Sequence, residues 1–236
     1  MAMKTLKCNT LYTAIGRFER RTNGCGRSCP VILLAGKEHM VDMQEMVLWT
    51  SLNWRIVRAE DIAELCSRTV SDTSYPISRS WEECLERLLV RGLVISGNGD
   101  TEYDALYDLL SPIYVIPSGG SFFLRTLTFI KLTLFRNIPI SKAKRLFTKD
   151  RRTDKERQVM NLARQALLST AEIIKCIEMD IRRLPDEESI LDQLYNDAYT
   201  TSDNINSLVK HSSSSKPVTL AVANLYLRQQ IIFERI

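Results

Sequence analysis

The chain has 236 residues, with 32 Lys and Arg against 28 Asp and Glu, 44% hydrophobic residues and a formal net charge of +4. That length can bury a sizeable core in one large or two small domains, and the composition is that of an ordinary globular protein. Arg125 and Lys131 interrupt the most apolar stretch, Phe122 to Phe135, which excludes a run long enough to span a bilayer. The N-terminus has neither the apolar segment nor the small-residue cleavage site of a secretory signal, so a cytoplasmic location is expected.

Residues 1–40 form a basic segment with seven Lys and Arg against two Glu. Within it, Val31 to Leu34 and His39 to Val41 flank the turn Ala35-Gly36-Lys37-Glu38, a pattern that predicts a small β-hairpin. Cys25 and Cys29 are spaced one residue wider than the common Cys-x-x-Cys ligand pair. They are either two loop cysteines at a turn or ligands that Cys8 or His39 would complete. No second ligand pair follows at a recognised spacing, so no metal is expected. Cys66 and Cys84 fall on apolar helix faces and read as buried thiols.

Residues 41–120 carry the clearest pattern. Asp42 caps a first helix, with Glu45 three residues on, and an apolar stripe through Met46, Leu48, Leu52 and Trp54 extends it to about Val57. Ile62, Ala63, Leu65 and Cys66 mark a second helix from about Ala59 to Val70. Ser78 suits the cap of a third helix, and Ser80 with Glu83 offers a second start at capping-box spacing. Trp81, Cys84, Leu85, Leu88 and Leu89 give its apolar face, and Gly92 suits the left-handed residue that ends it. Leu93, Val94 and Ile95 then predict a strand, and Gly97-Asn98-Gly99-Asp100 a tight turn.

Three helices, a turn and a strand are the elements of a winged helix. The run Leu85, Leu88, Gly92, Leu93, Val94 resembles the close of the recognition helix in winged helix-turn-helix transcriptional regulators of the MarR and PadR type, over roughly residues 41–117. The resemblance implies DNA binding, with Ser78, Arg79 and Ser80 approaching the major groove and Arg68 on phosphate. Two features depart from the pattern. Thr101 to Leu110 reads as a helix where a wing strand should return, and strand signals resume only at Ile113 to Ile116. The segment 41–110 also has six Arg against thirteen Asp and Glu, and Glu82, Glu83 and Glu86 lie on the helix that should read bases, although phosphate neutralisation supplies most affinity for DNA.

Residues 121–236 read as helical. Phe122 to Phe135 predicts a helix through Phe123, Leu127, Ile130 and Leu134. Basic charge concentrates from Arg136 to Arg157, including Lys142, Lys144, Arg145, Arg151 and Arg152, which is either a phosphate-tracking patch or a solvated hinge. Thr153 and Glu156 form a capping box for a helix that the stripe Val159, Ala163, Ala166, Thr170, Ile173, Ile177 carries to about Leu184, long enough to pair with a second subunit or to pack on its own chain. Asp186 caps the next helix. His211 to Lys216 reads as a flexible link, and Pro217 opens a final helix through Leu220, Ala223, Leu227 and Ile231.

Signals for catalysis are weak: Gly36-Lys37 lacks the first glycine and the hydroxyl of a phosphate loop, and Gly97-Asn98-Gly99 lacks the third glycine of a dinucleotide fingerprint. The expected fold class is mainly α with a small β component, a winged helix-turn-helix at 41–120 followed by a helical, dimerising C-terminal bundle at 121–236. The expected function is a cofactor-free transcriptional regulator, not an enzyme, that binds double-stranded DNA as a homodimer. The alternative is a protein-interaction adaptor whose acidic winged helix docks on a partner.

Overall fold

The computed structural model describes residues 9–22, 28–70, 79–118, 152–181, 186–197 and 199–235. Its first part contains β1 (Thr10–Ala14), β2 (Arg17–Thr22), β3 (Ser28–Leu34), β4 (Lys37–Met40), α1 (Met43–Leu52), β5 (Val57–Arg58), α2 (Ala59–Val70), α3 (Trp81–Val90), β6 (Val94–Asn98) and α4 (Glu102–Leu110). The rest contains β7 (Tyr114–Pro117), α5 (Asp154–Gln165), α6 (Thr170–Glu178), α7 (Glu187–Leu194), α8 (Ile205–Val209), α9 (Ser215–Leu227) and β8 (Ile231–Glu234). The chain is thus a mixed α/β protein with small sheets.

The first sheet has the order β5-β1-β6, antiparallel throughout, so a strand from the N-terminal segment lies between two strands of the region 41–120. The expected hairpin is β3–β4, turning at Ala35-Gly36, and β2 pairs with β3 to widen it to three strands. α1 starts where the capping box predicts, with Asp42 accepting from the amides of Gln44 and Glu45. It stops at Leu52 rather than Val57, because Trp54 takes a left-handed backbone (φ 60°) and Val57 enters β5. α3 is capped by Ser80, which accepts from Glu83 N. Its end closes through Gly92 at φ 69°, with Leu93 N donating to Leu88 O.

The C-terminal half departs further from expectation. The single helix predicted from Thr153 to Leu184 is two helices, because Ala166 leaves helical angles (φ −145°, ψ 154°) and Ser169 begins a second capping box with Glu172. The final helix ends at Leu227, and Ile231 belongs to β8 instead, paired antiparallel with β7. The link His211 to Lys216 is drawn into the structure, with Ser215 buried and its Oγ 2.7 Å from the Tyr103 hydroxyl. The predicted helix Phe122 to Phe135 lies outside the described residues.

These elements form the same unit twice. With the insertions β2–β4 in the first and α7 and α8 in the second set aside, β1 is followed by α1, β5, α2, α3 and β6, and β7, across residues 119–151 that lie outside the described ones, by α5, a one-residue bridge at Ser169, α6, α9 and β8. The register agrees at residue level. Leu11 pairs with Arg58 immediately before α2, and Tyr114 with Ser169 immediately before α6. Ile15 N donates to Leu93 O, and Ser118 N to Gln230 O. Third helices close alike, Leu93 N on Leu88 O and Gln230 N on Leu225 O, through left-handed Gly92 and Gln229. Both first helices start on a capping box whose glutamate is buried, Glu45 and Glu156, and each glutamate receives the arginine at the end of its third helix, Arg91 at 3.0 Å and Arg228 at 3.3 Å.

The two units share one hydrophobic core. At their junction the Tyr226 hydroxyl accepts from Thr13 Oγ1 (2.9 Å) and Trp54 N (3.0 Å) and donates to Ala14 O (2.9 Å). Its ring stacks on Phe233 with centroids 4.0 Å apart, and burial pushes the phenol up to about 12.

Candidate nucleic-acid interface

α3 buries Cys84, Leu85 and Leu88 and turns Glu82, Glu83 and Glu86 outward, all three exposed. Its helical period therefore puts an acidic surface where a DNA-reading helix would need donors. The arginines around it point elsewhere. Arg79 Nη2 meets Asp42 Oδ2 at 2.5 Å, Arg87 Nε meets Glu45 Oε1 at 2.5 Å, and Arg91 Nη1 meets Glu45 Oε2 at 3.0 Å, with Arg79 Nη1 3.9 Å from Glu45 Oε1. Arg91 also donates to the Met40 carbonyl. Glu45 is 1% exposed, so it lies within a ring of guanidinium groups that compensates its desolvation.

Burial alone would raise the Asp42 carboxyl. The Glu45 amide, the Arg79 guanidinium and the Gln44 amide outweigh that and hold it below the ordinary carboxylate value. Desolvation pushes the Cys66 thiol up to about 11 and raises that of Cys84, which keeps both as neutral core groups rather than nucleophiles or ligands. Cys176 behaves alike, pushed up to about 12.

Of the residues expected to touch DNA, Arg79 and Ser80 are thus both occupied at the start of α3, by Asp42 and by the helix amide. Arg68 lies in the last turns of α2. Arg152 stands just before α5 and donates from Nε to Gln230 Oε1 at 2.6 Å, tying it to the turn before β8. Arg157 pairs with Asp154. Ser78, Lys142, Lys144, Arg145 and Arg151 lie outside the described residues.

A cleft of about 500 Å³ opens between α4 and α8, lined by Asn98, Asp104, Tyr107, Asp108, Asn206 and Lys210 among others. Two of its three carboxylates face the chain's own groups: Asp108 accepts from Asn98 N at 2.8 Å, and Asp104 accepts from Thr101 and lies 3.7 Å from Lys210. No group of three His, Cys, Asp or Glu able to hold a metal exists among the described residues. Nor is any described helix long and apolar enough to cross a membrane.

Sequence reasoning missed the second unit. Its signal was present in Ser169-Thr-Ala-Glu172, a capping box directly before the apolar pair Ile173-Ile174, and in the recurrence of arginine at positions 91 and 228. No family model matches the chain, and no curated protein or solved structure matches it.

Proposed function

We propose that the chain is a duplex-DNA-binding regulator, without catalytic activity, built from two winged-helix units in tandem. A winged helix needs three helices, a strand and a returning strand beside it. In each unit the strand that would return is supplied from the N-terminal side instead, by β1 beside β6 and by β7 beside β8. That substitution accounts for α4 standing where a wing should come back. The observation that carries the reading is the agreement of the two copies in register, down to the buried glutamate and its arginine. One such unit is a common arrangement of small elements; the same one twice in one chain argues for a repeated module whose outward faces can differ in what they contact.

The sequence supplies cations outside the acidic α3, in residues 1–40 and 136–157, which suits binding driven by phosphate neutralisation. The test is anisotropy of a labelled 30-base-pair duplex against salt, with solution mass measured in parallel. Affinity that falls steeply between about 50 and 200 mM salt is expected. Absence of binding at the lower salt overturns the proposal.

The outward face of α3 favours a second reading, in which unit one docks a basic protein partner. Glu82, Glu83 and Glu86 are free of ion pairs with the three arginines that surround the helix, because those arginines converge on Asp42 and Glu45. Loss of a pulled-down partner on replacing the three glutamates by glutamine, with DNA affinity unchanged, would support it.

A further inference from the structure

We infer that the helix that reads DNA is α9, and that α3, its counterpart in the first unit, does not. The inference rests on the proposed DNA binding and assigns its base-reading residues. The register of the two units aligns Leu88 with Leu225 and Arg91 with Arg228, so the outward positions Glu83, Arg87 and Val90 of α3 correspond to Leu220, Asn224 and Leu227 of α9. Arg79 corresponds to Lys216 on the same count.

The two surfaces differ in chemistry. On α3 the outward groups are three carboxylates, Val90 and an arginine committed to Glu45. On α9 the equivalents of Glu82 and Glu86 are Thr219 and Ala223, both buried, and the exposed stripe is Lys216, Leu220, Asn224 and Leu227 at spacings of four, four and three residues. From Asn204 to Phe233 the sequence has no Asp or Glu; Arg228 is committed to Glu156 and Lys210 faces Asp104, so the positive charge on the stripe is that of Lys216. A narrow stripe with no carboxylate and a lysine at one end is complementary to a polyanion. Its central amide has the donor and acceptor geometry that pairs with adenine, and flanking leucines suit thymine methyl groups. Leu220 is 43% and Leu227 48% exposed, so both apolar side chains stand on the outer surface of α9. Lys216 is exposed, with its ammonium 5.8 Å above the ring of Tyr103 on the neighbouring α4.

The experiment uses the full chain and a duplex enriched from a randomised 30-base-pair pool, compared with a scrambled duplex of equal composition. Asn224→Ala is expected to reduce the preference for the enriched duplex about tenfold, with affinity for the scrambled one unchanged. Lys216→Glu is expected to weaken both together. Glu83→Gln and Glu86→Gln leave both unchanged. If Asn224→Ala leaves the preference intact while Glu83→Gln or Glu86→Gln alters it, α3 is the reader and the inference fails, though DNA binding stands. A dimer in solution that Leu220→Ser with Leu227→Ser abolishes assigns the stripe to a second copy and likewise overturns it. If the parent chain binds no duplex at low salt, the proposed function fails first.

Discussion

Glu45 and Glu156 occupy equivalent places, yet their surroundings are unequal, and the inequality fixes what their removal does. Glu45 takes two short arginine contacts, from Arg87 and Arg91, besides the Asp42 amide. Glu156 receives Arg228 and the Thr153 amide through one oxygen, Oε2, and its Oε1 is buried without a partner. Glu45→Ala removes the buried carboxylate that Arg87 and Arg91 share, while Arg79 keeps Asp42, and is expected to cost about 2–4 kcal/mol in urea unfolding. Glu156→Ala should cost less, about 1–3 kcal/mol. Asp42 carries the pH dependence of the same cluster. Its carboxyl lies below the ordinary value in the folded chain, so its contribution is present above the unfolded pKa and is lost as pH falls through the folded one. Asp42→Asn is therefore expected to lower the urea midpoint at pH 7, with the gap to the parent chain closing as pH drops below about 4. These capping residues were legible in the sequence, since Asp42-x-x-Glu45 and Thr153-x-x-Glu156 have the capping-box spacing by themselves. The arginines that seal them were not, because a partner 46 residues away leaves no local signal.

At the scale of elements, α4 lies against β6 through two glycines. A Cβ on Gly97 would stand 2.3 Å from Ala105 O and from Leu109 N, and one on Gly99 2.3 Å from Ala105 N, all of them backbone atoms that cannot step aside. The glycines read as turn residues in the sequence are thus needed as much for this close approach. Gly97→Ala is expected to destabilise by about 1–3 kcal/mol or more, measured by thermal and urea unfolding, whereas Ser96→Ala on the exposed side of the same strand should be nearly silent. Periodicity gave the helices α1 to α4 but joined α5 to α6. Val159, Ala163, Ala166, Thr170 and Ile173 all bury, so the stripe runs unbroken across a real gap in the backbone. Spacing records which side faces the core and is blind to a brief extended stretch whose side chains also point inward. The sheet partner that pulls Ser169 out of the helix is Tyr114, far upstream.

For the whole molecule, the duplication was hidden because the two units match in backbone and differ in side chains. Trp49 answers to Met160, Leu93 to Gln230 and Gly92 to Gln229. The shared core makes a claim on cooperativity. All three tryptophans, Trp49, Trp54 and Trp81, belong to the first unit, so fluorescence reports on that unit, whereas far-ultraviolet circular dichroism reports helices of both. Tyr226 crosses the junction with three hydrogen bonds into the first unit, and Gly16 N donates to Phe233 O beside it. Units joined this way should unfold as one, so the two probes are expected to give coincident urea transitions. Tyr226→Phe leaves Trp54 N without its acceptor and removes the donor from Ala14 O, at a cost of about 1–3 kcal/mol. The variant's midpoint should fall for both probes. Separate transitions in the parent chain would mean that the two units are held together more weakly than their common core implies.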